Sequence, residues 1–166
     1  MSESLSQYKR VHMIGIKGAG MTALAELLTE QGVVVTGSDI EEVFFTDSIL
    51  KRLKIKYAEH FAPENIPASA KAVIYSTAYS REKNPELAAA FASGLPVWSY
   101  PEALGMLTRE KLTLAVCGTH GKTTTSALLA ETLKFSGADP SAIVGSHIVN
   151  WKGNALSGNG NYLVLE

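Results

Sequence analysis

Leu112-Thr113-Leu114-Ala115-Val116-Cys117-Gly118-Thr119-His120-Gly121-Lys122-Thr123-Thr124 is the stretch on which the reading of the whole chain turns. Its first six residues read as a short buried strand. Lys122 to Phe135 then carries a helical pattern that Gly137 ends. A glycine-rich turn between strand and helix is the context of a phosphate loop, in which backbone N–H groups cradle the phosphates. Gly118, Thr119, His120, Gly121, Lys122, Thr123 and Thr124 are therefore expected to bind ATP. Lys122 would reach the β- and γ-phosphates and the Thr123 hydroxyl would ligate Mg²⁺. Val116 stands where the longer loop pattern has glycine, so the loop is a shorter variant, Gly-Thr-His-Gly-Lys-Thr. His120 either touches phosphate or substrate or caps the turn. Cys117 reads as a small packing residue at the strand end.

Strands and helices alternate upstream of this stretch. Val11 to Ile16 is an apolar strand, and Ala19 to Gln31 a helix stopped by Gly32. Val33 to Val35 reads as a strand, the segment around Asp47 to Leu53 as a helix, and Ala72 to Tyr75 as a strand. Pro85 to Ala92 is a helix capped by Asn84, and Gly94 to Val97 returns to the sheet. Downstream, Ile143-Val144 and Tyr162 to Leu165 are further strands. The pattern is α/β. It predicts a Rossmann-like, mostly parallel sheet domain over residues 1–107, then a partial phosphate-loop α/β domain over 108–166.

A second glycine-rich turn, Gly15-Ile16-Lys17-Gly18-Ala19-Gly20, joins the first strand to the first helix. Such a turn lets a diphosphate approach a helix N-terminus, where the backbone dipole favours negative charge. The spacing G-x-x-G-x-G differs from the dinucleotide fingerprint G-x-G-x-x-G. Lys17 either adds positive charge near the diphosphate or points to solvent. Ser38, Asp39, Ser76 and Thr77 lie at the C-terminal ends of strands, where open α/β sheets bind ligands, and Asp39 has the position of a ribose contact. His147 either faces the substrate or sits on a solvent-facing loop. His12 reads as a satisfied sheet residue, and Trp98 and Tyr100 as packing between the two units.

Composition narrows the classes. The chain is 46% hydrophobic with a formal net charge of −1, which fits neither a disordered tail nor a nucleic-acid binder. Its single cysteine permits no internal disulfide and fits a reducing compartment. No apolar stretch is long enough for a membrane span, and Met1 to Lys9 lacks the apolar region of a secretory signal. These readings point to the cytoplasm, with no membrane and no nucleic acid among the partners.

Two phosphate turns about one hundred residues apart, in successive α/β units, resemble the Mur ligases over nearly the whole chain. Gly15 and Gly18-Ala19-Gly20-Met21 are similar to that family's turn for the diphosphate of a UDP-sugar. Gly37-Ser38-Asp39, Ser76-Thr77-Ala78 and Asn84-Pro85-Glu86 resemble its segments around the same site, and Gly118 to Thr125 its ATP loop. The resemblance implies that Glu166, after the strand Tyr162 to Leu165, binds Mg²⁺ with Thr123. It further implies that Lys122 and His120 serve catalysis. It also implies an activity: ATP-dependent addition of L-alanine to UDP-N-acetylmuramate through an acyl phosphate, with the rest of the enzyme beyond residue 166. Lys17, and Gly145-Ser146-His147, depart from the family pattern.

Two alternatives remain open. Within the family, the chain would attach a recycled tripeptide to the same sugar nucleotide, towards which Ser99-Tyr100-Pro101-Glu102 leans. Outside it, the first turn would hold NAD in an oxidoreductase. A further expectation concerns Tyr162 to Leu165, read as an unpaired apolar edge that invites self-association.

Overall fold

The computed structural model describes residues 4–166, so the first three residues of the polar leader lie outside it. β1 (Arg10–Ile14), β2 (Val34–Ser38), β3 (Lys56–Ala58), β4 (Ala72–Tyr75) and β5 (Val97–Ser99) form one parallel sheet in the order β3-β2-β1-β4-β5. The order reverses between β1 and β4, which leaves a crevice at their C-terminal ends. Side chains alternate along a strand, so β1 and β4 feed two cores. Val11, Met13, Ala72 and Ile74 pack with Leu24, Leu27 and Leu28 of α1 (Ala19–Glu30). Ile14 and Val73 pack with Leu87 and Ala90 of α3 (Pro85–Ala92) on the other face. Between them in the chain, α2 (Asp47–Arg52) contributes Leu50 to the first core.

The N-terminus of α3 shows how a local signal sets a boundary. Asn84 is extended, Pro85 occupies the first turn, and the Asn84 side-chain oxygen accepts the Leu87 N–H at 2.9 Å. Asn84→Ala is expected to lose about 1 kcal/mol of stability. A urea melt showing an unchanged midpoint would contradict this.

α4 (Tyr100–Glu110) follows β5 directly and was not read from the sequence as a helix. Its start signal is nevertheless present: Glu102 reaches back to accept the Ser99 N–H at 2.7 Å, and Pro101 lies in the first turn. Ser99 to Glu102 is thus a helix start. Trp98 meets Tyr8 edge-on at 5.0 Å, and Tyr100 closes against Gly20.

The second sheet contains β6 (Leu112–Ala115), β7 (Ser141–Ile148), β8 (Gly153–Leu156) and β9 (Tyr162–Leu165) in the order β6-β9-β7-β8. β9 lies parallel between β6 and β7, bonded to both. The expected unpaired edge at Tyr162 to Leu165 is therefore wrong, because the chain returns into the middle of the sheet. β6 and β8 are the edges instead, and Leu112 on β6 is 58% exposed. The buried strand expected there is accordingly half-exposed. Cys117 lies past its end in the loop and is exposed, so it does not pack as expected.

α5 (Lys122–Phe135) covers one face of this sheet through Ala130, against Ala142, Val144 and Val164. The other face turns Ile143, Leu163 and Leu165 into the core that holds α1. α1 is consequently walled by both sheets, and every residue from Met21 to Leu28 is buried. A helix buried all round is the joint of the fold.

Candidate functional site

At the first turn, Gly15 adopts φ +83°, a conformation that side chains resist. A Cβ there would lie 2.7 Å from both Ser76 Cβ and the Tyr79 ring. The N–H groups of Gly15 and Ile16 are fastened to the Ser38 carbonyl at 2.8 and 3.1 Å. Gly18, by contrast, has φ −57°, and a Cβ on it would meet nothing nearer than 3.5 Å. Gly18, Ala19, Gly20 and Met21 open α1 with no acidic side chain in the first turn, leaving helix N–H groups for an anion.

The residues expected to touch the ligand from β2 lie beneath the turn. Ser38 is fully buried and donates its hydroxyl to Glu86 at 2.7 Å. Asp39 accepts the Lys17 N–H at 2.6 Å, the Ile40 N–H at 2.8 Å and the Tyr79 hydroxyl at 3.0 Å. Both side chains are buried and brace the turn, and the Asp39 carboxylate already accepts three bonds. Burial together with Asp39 pushes the Tyr79 hydroxyl up to about 12.

Lys17 also corrects its expectation, since it neither approaches the turn's anion side nor points to solvent. It is 1% exposed, and its Nζ donates to the Ile40 and Glu42 carbonyls at 3.0 Å and to Glu59 at 2.8 Å, with Asp47 at 3.4 Å. Thr46 donates its hydroxyl to the Lys17 carbonyl. One buried cation therefore holds the loop after β2 against the turn. His12 is satisfied as read: its ring nitrogens meet Thr36 at 2.9 Å and Glu86 at 2.7 Å. Asn65 and the Ala62 N–H complete the Glu86 shell. Burial would raise the Glu86 carboxyl, but these four partners outweigh it and hold it below the usual carboxylate range.

Ser76 and Thr77 follow β4, and Thr77 borders a cavity of about 410 Å³ with Phe61, Ala78, Tyr79, Lys83 and Asn84. Phe61, Tyr79 and Lys83 escaped the sequence reading. Nothing local marks them, because only the β4 crossover brings residue 61 beside residue 79.

At the second turn, Gly121 has φ +74° and immediately precedes α5. His120 and Thr124 are exposed, and Lys122 and Thr123 are half-buried. The structure brings Thr123 and Glu166 together. Thr123 donates its hydroxyl to Glu166 Oε2 at 2.7 Å, and the Gly145 N–H donates to the same oxygen at 2.7 Å. The Glu166 backbone N–H is bonded to the Ile143 carbonyl, which anchors the residue to β7. Hard oxygen donors at a helix N-terminus suit Mg²⁺, which keeps waters and phosphate oxygens as most of its ligands. Among the described residues no cluster of three acidic, histidine or cysteine side chains forms an all-protein cage. His147 is exposed on β7, two residues past Gly145.

Residues 10–112 match the model of the Mur ligase family, catalytic domain. The chain belongs to the Mur ligase family. The match ends where β6 begins, so the phosphate loop lies outside it. Similarity to relatives covers that loop as well. The chain is 44% identical over 156 residues to the UDP-N-acetylmuramate–L-alanine ligase of Treponema pallidum (strain Nichols), covering 94% of this chain and 31% of that protein. Its structure is similar to UDP-N-acetylmuramate-alanine ligase MurC from Thermotoga maritima (TM-score 0.84, 32% identity, 94% of this chain and 36% of that one). It is also similar to the UDP-N-acetylmuramate:L-alanyl-gamma-D-glutamyl-meso-diaminopimelate ligase of Neisseria meningitides (TM-score 0.84, 29% identity, 96% and 52%). The chain spans about a third of the length of the curated relatives it matches. No helix among the described residues is long and apolar enough to cross a membrane.

Proposed function

We propose that this Mur ligase chain is the sugar-nucleotide-binding and phosphate-loop portion of an ATP-dependent, cytoplasmic ligase that adds L-alanine to UDP-N-acetylmuramate. The observation that carries the reading is the adjacency of the two turns. α1, opened by the first turn, packs against β7, which carries Gly145 and the Glu166 anchor of the second. A substrate diphosphate on α1 and an ATP on α5 would therefore both lie beside β7, on either side of the second sheet.

In this reading Gly15, Gly18, Ala19, Gly20 and Met21 hold the UDP diphosphate, and Ser76, Thr77 and His147 border the same ligand. The muramyl carboxylate oxygen bonds to the γ-phosphorus as the bond to the β,γ-bridging oxygen breaks, and ADP leaves. The alanine amine then displaces phosphate from the acyl carbon, losing its proton. Lys122 neutralises charge on the γ-phosphoryl, and the loop N–H groups from Gly118 to Thr124 fix its position. Thr123 and Glu166 would hold Mg²⁺, which supplies charge neutralisation for the transferring phosphate. His120 lies in the loop, within reach of the same region.

A tripeptide-attaching ligase would use these same residues. L-alanine is preferred because the relatives at 44% identity carry that activity in their names. An NAD-dependent reading loses support from Asp39, whose oxygens are already engaged.

Calorimetric titration of UDP-N-acetylmuramate, with NAD⁺ and ATP–Mg²⁺ in parallel, tests the proposal. Gly18→Val places bulk where the diphosphate would sit, at a backbone conformation open to any residue. It should abolish sugar-nucleotide binding while costing about 1 kcal/mol of stability at the helix cap. Binding of NAD⁺ in place of the sugar nucleotide would sink the ligase reading.

A further inference from the structure

Asn154, the second residue of β8, is fully buried and its Nδ2 donates in two directions. One bond, of 2.8 Å, goes to the Ala19 carbonyl at the start of α1. The other, of 3.1 Å, goes to the Val144 carbonyl on β7. Ala19 belongs to the first glycine-rich turn. Val144 adjoins Gly145, whose N–H holds the Glu166 carboxylate that also receives the Thr123 hydroxyl. A single amide nitrogen thus touches the backbone of one phosphate turn and the strand that anchors the other.

The seam around it is tight. A Cβ on Gly153 would lie 2.9 Å from Glu26 Oε2 and 3.3 Å from the Arg52 guanidinium, so β8 is pressed directly on α1. Asn154 Oδ1 has no hydrogen-bond partner in the structure, an arrangement that costs free energy in a buried site. The amide's two donated bonds tie the start of α1 to β7.

We propose that Asn154 is a positioning residue that couples the two phosphate-binding turns, so that occupancy of one changes the affinity of the other. The inference rests on the reading of both turns as nucleotide sites. A ligand drawing on the N–H groups of α1 shifts Ala19, and the shift passes through the amide to Val144, Gly145 and Glu166. The linkage is reciprocal by thermodynamic necessity.

The test is calorimetry of UDP-N-acetylmuramate binding with and without a saturating non-hydrolysable ATP analogue and Mg²⁺. In the wild-type chain the analogue should change sugar-nucleotide affinity by about 5-fold or more. In Asn154→Ala each ligand alone should bind within about 3-fold of wild type, while the linkage falls to within about 2-fold of unity. Asn154→Ser keeps one donor, and should show a reduced linkage even if the alanine variant does not fold. A folded variant with undiminished linkage would overturn the proposal, as would independent binding of both ligands to the wild type. If neither ligand binds the wild type, the functional reading falls and the coupling falls with it.

Discussion

Lys122→Ala is expected to weaken ATP–Mg²⁺ binding by about 100-fold, equivalent to about 3 kcal/mol. Lys122 is the first residue of α5 and makes no ion pair among the described residues. A cation at a helix N-terminus opposes the helix dipole, so the folded chain gains nothing electrostatic from it. In the proposed reading its charge serves the ATP phosphates. The substitution should consequently leave the urea midpoint unchanged or raise it slightly, separating binding from folding. Lys122→Arg should not restore affinity, because the planar guanidinium does not replace a compact ammonium in a tight loop. Wild-type ATP affinity in the alanine variant would remove the phosphate-loop assignment.

Lys17→Met is the counterpart, with a large effect on folding. The ammonium group is enclosed by the Ile40 and Glu42 carbonyls, Glu59 and Asp47, and removing it leaves Asp47, only 12% exposed in its side chain, without its cation. Breaking such a pair costs about 3 kcal/mol, a fall in Tm of about 6–12 °C. Burial lowers the pKa of Lys17, but the hydrogen bond and charge of Glu59 and Asp47 outweigh it and leave the group above 10.5. A group raised in the folded state contributes its stability fully below the unfolded value and loses it as pH rises through the folded value. The Tm difference between wild type and variant should therefore stay constant through neutral pH and narrow only above 10.5. Asp47 behaves in the opposite sense. Burial would raise its carboxyl, but the Phe44 N–H, the Tyr57 hydroxyl and Lys17 hold it below its usual value. Its contribution is thus lost only in acid, as pH falls through that lowered value. Equal melting curves for Lys17→Met and wild type would show that the loop is held by other means.

Local signals made much of this legible. Helix α5 begins at Lys122 and ends at Phe135 as read, because a glycine precedes it and another follows close behind. Helix α3 matches its capping asparagine and first-turn proline. Strands β4 and β9 agree residue for residue with the apolar runs. By contrast, β3 and β8 went unread, since three or four residues with little alternation carry no periodic signal of their own. α4 carries a local start signal, Ser99 to Glu102, directly after a strand.

The α/β class, the two glycine-rich turns, the family they resemble and the residue types that could bind phosphate are all legible in the chain. Each of these is written in neighbouring residues, through turn chemistry and side-chain period. The tertiary structure alone decided what those residues face. It turned Ser38 and Asp39 under the first turn, buried Lys17 in a nest of carbonyls and carboxylates, and put β9 inside the sheet. It also joined Thr123 to Glu166 and let Asn154 reach both Ala19 and Val144. Such pairings link residues 10 to 135 positions apart. Burial and partner choice depend on how sheets stack around α1, and no local run of sequence encodes that.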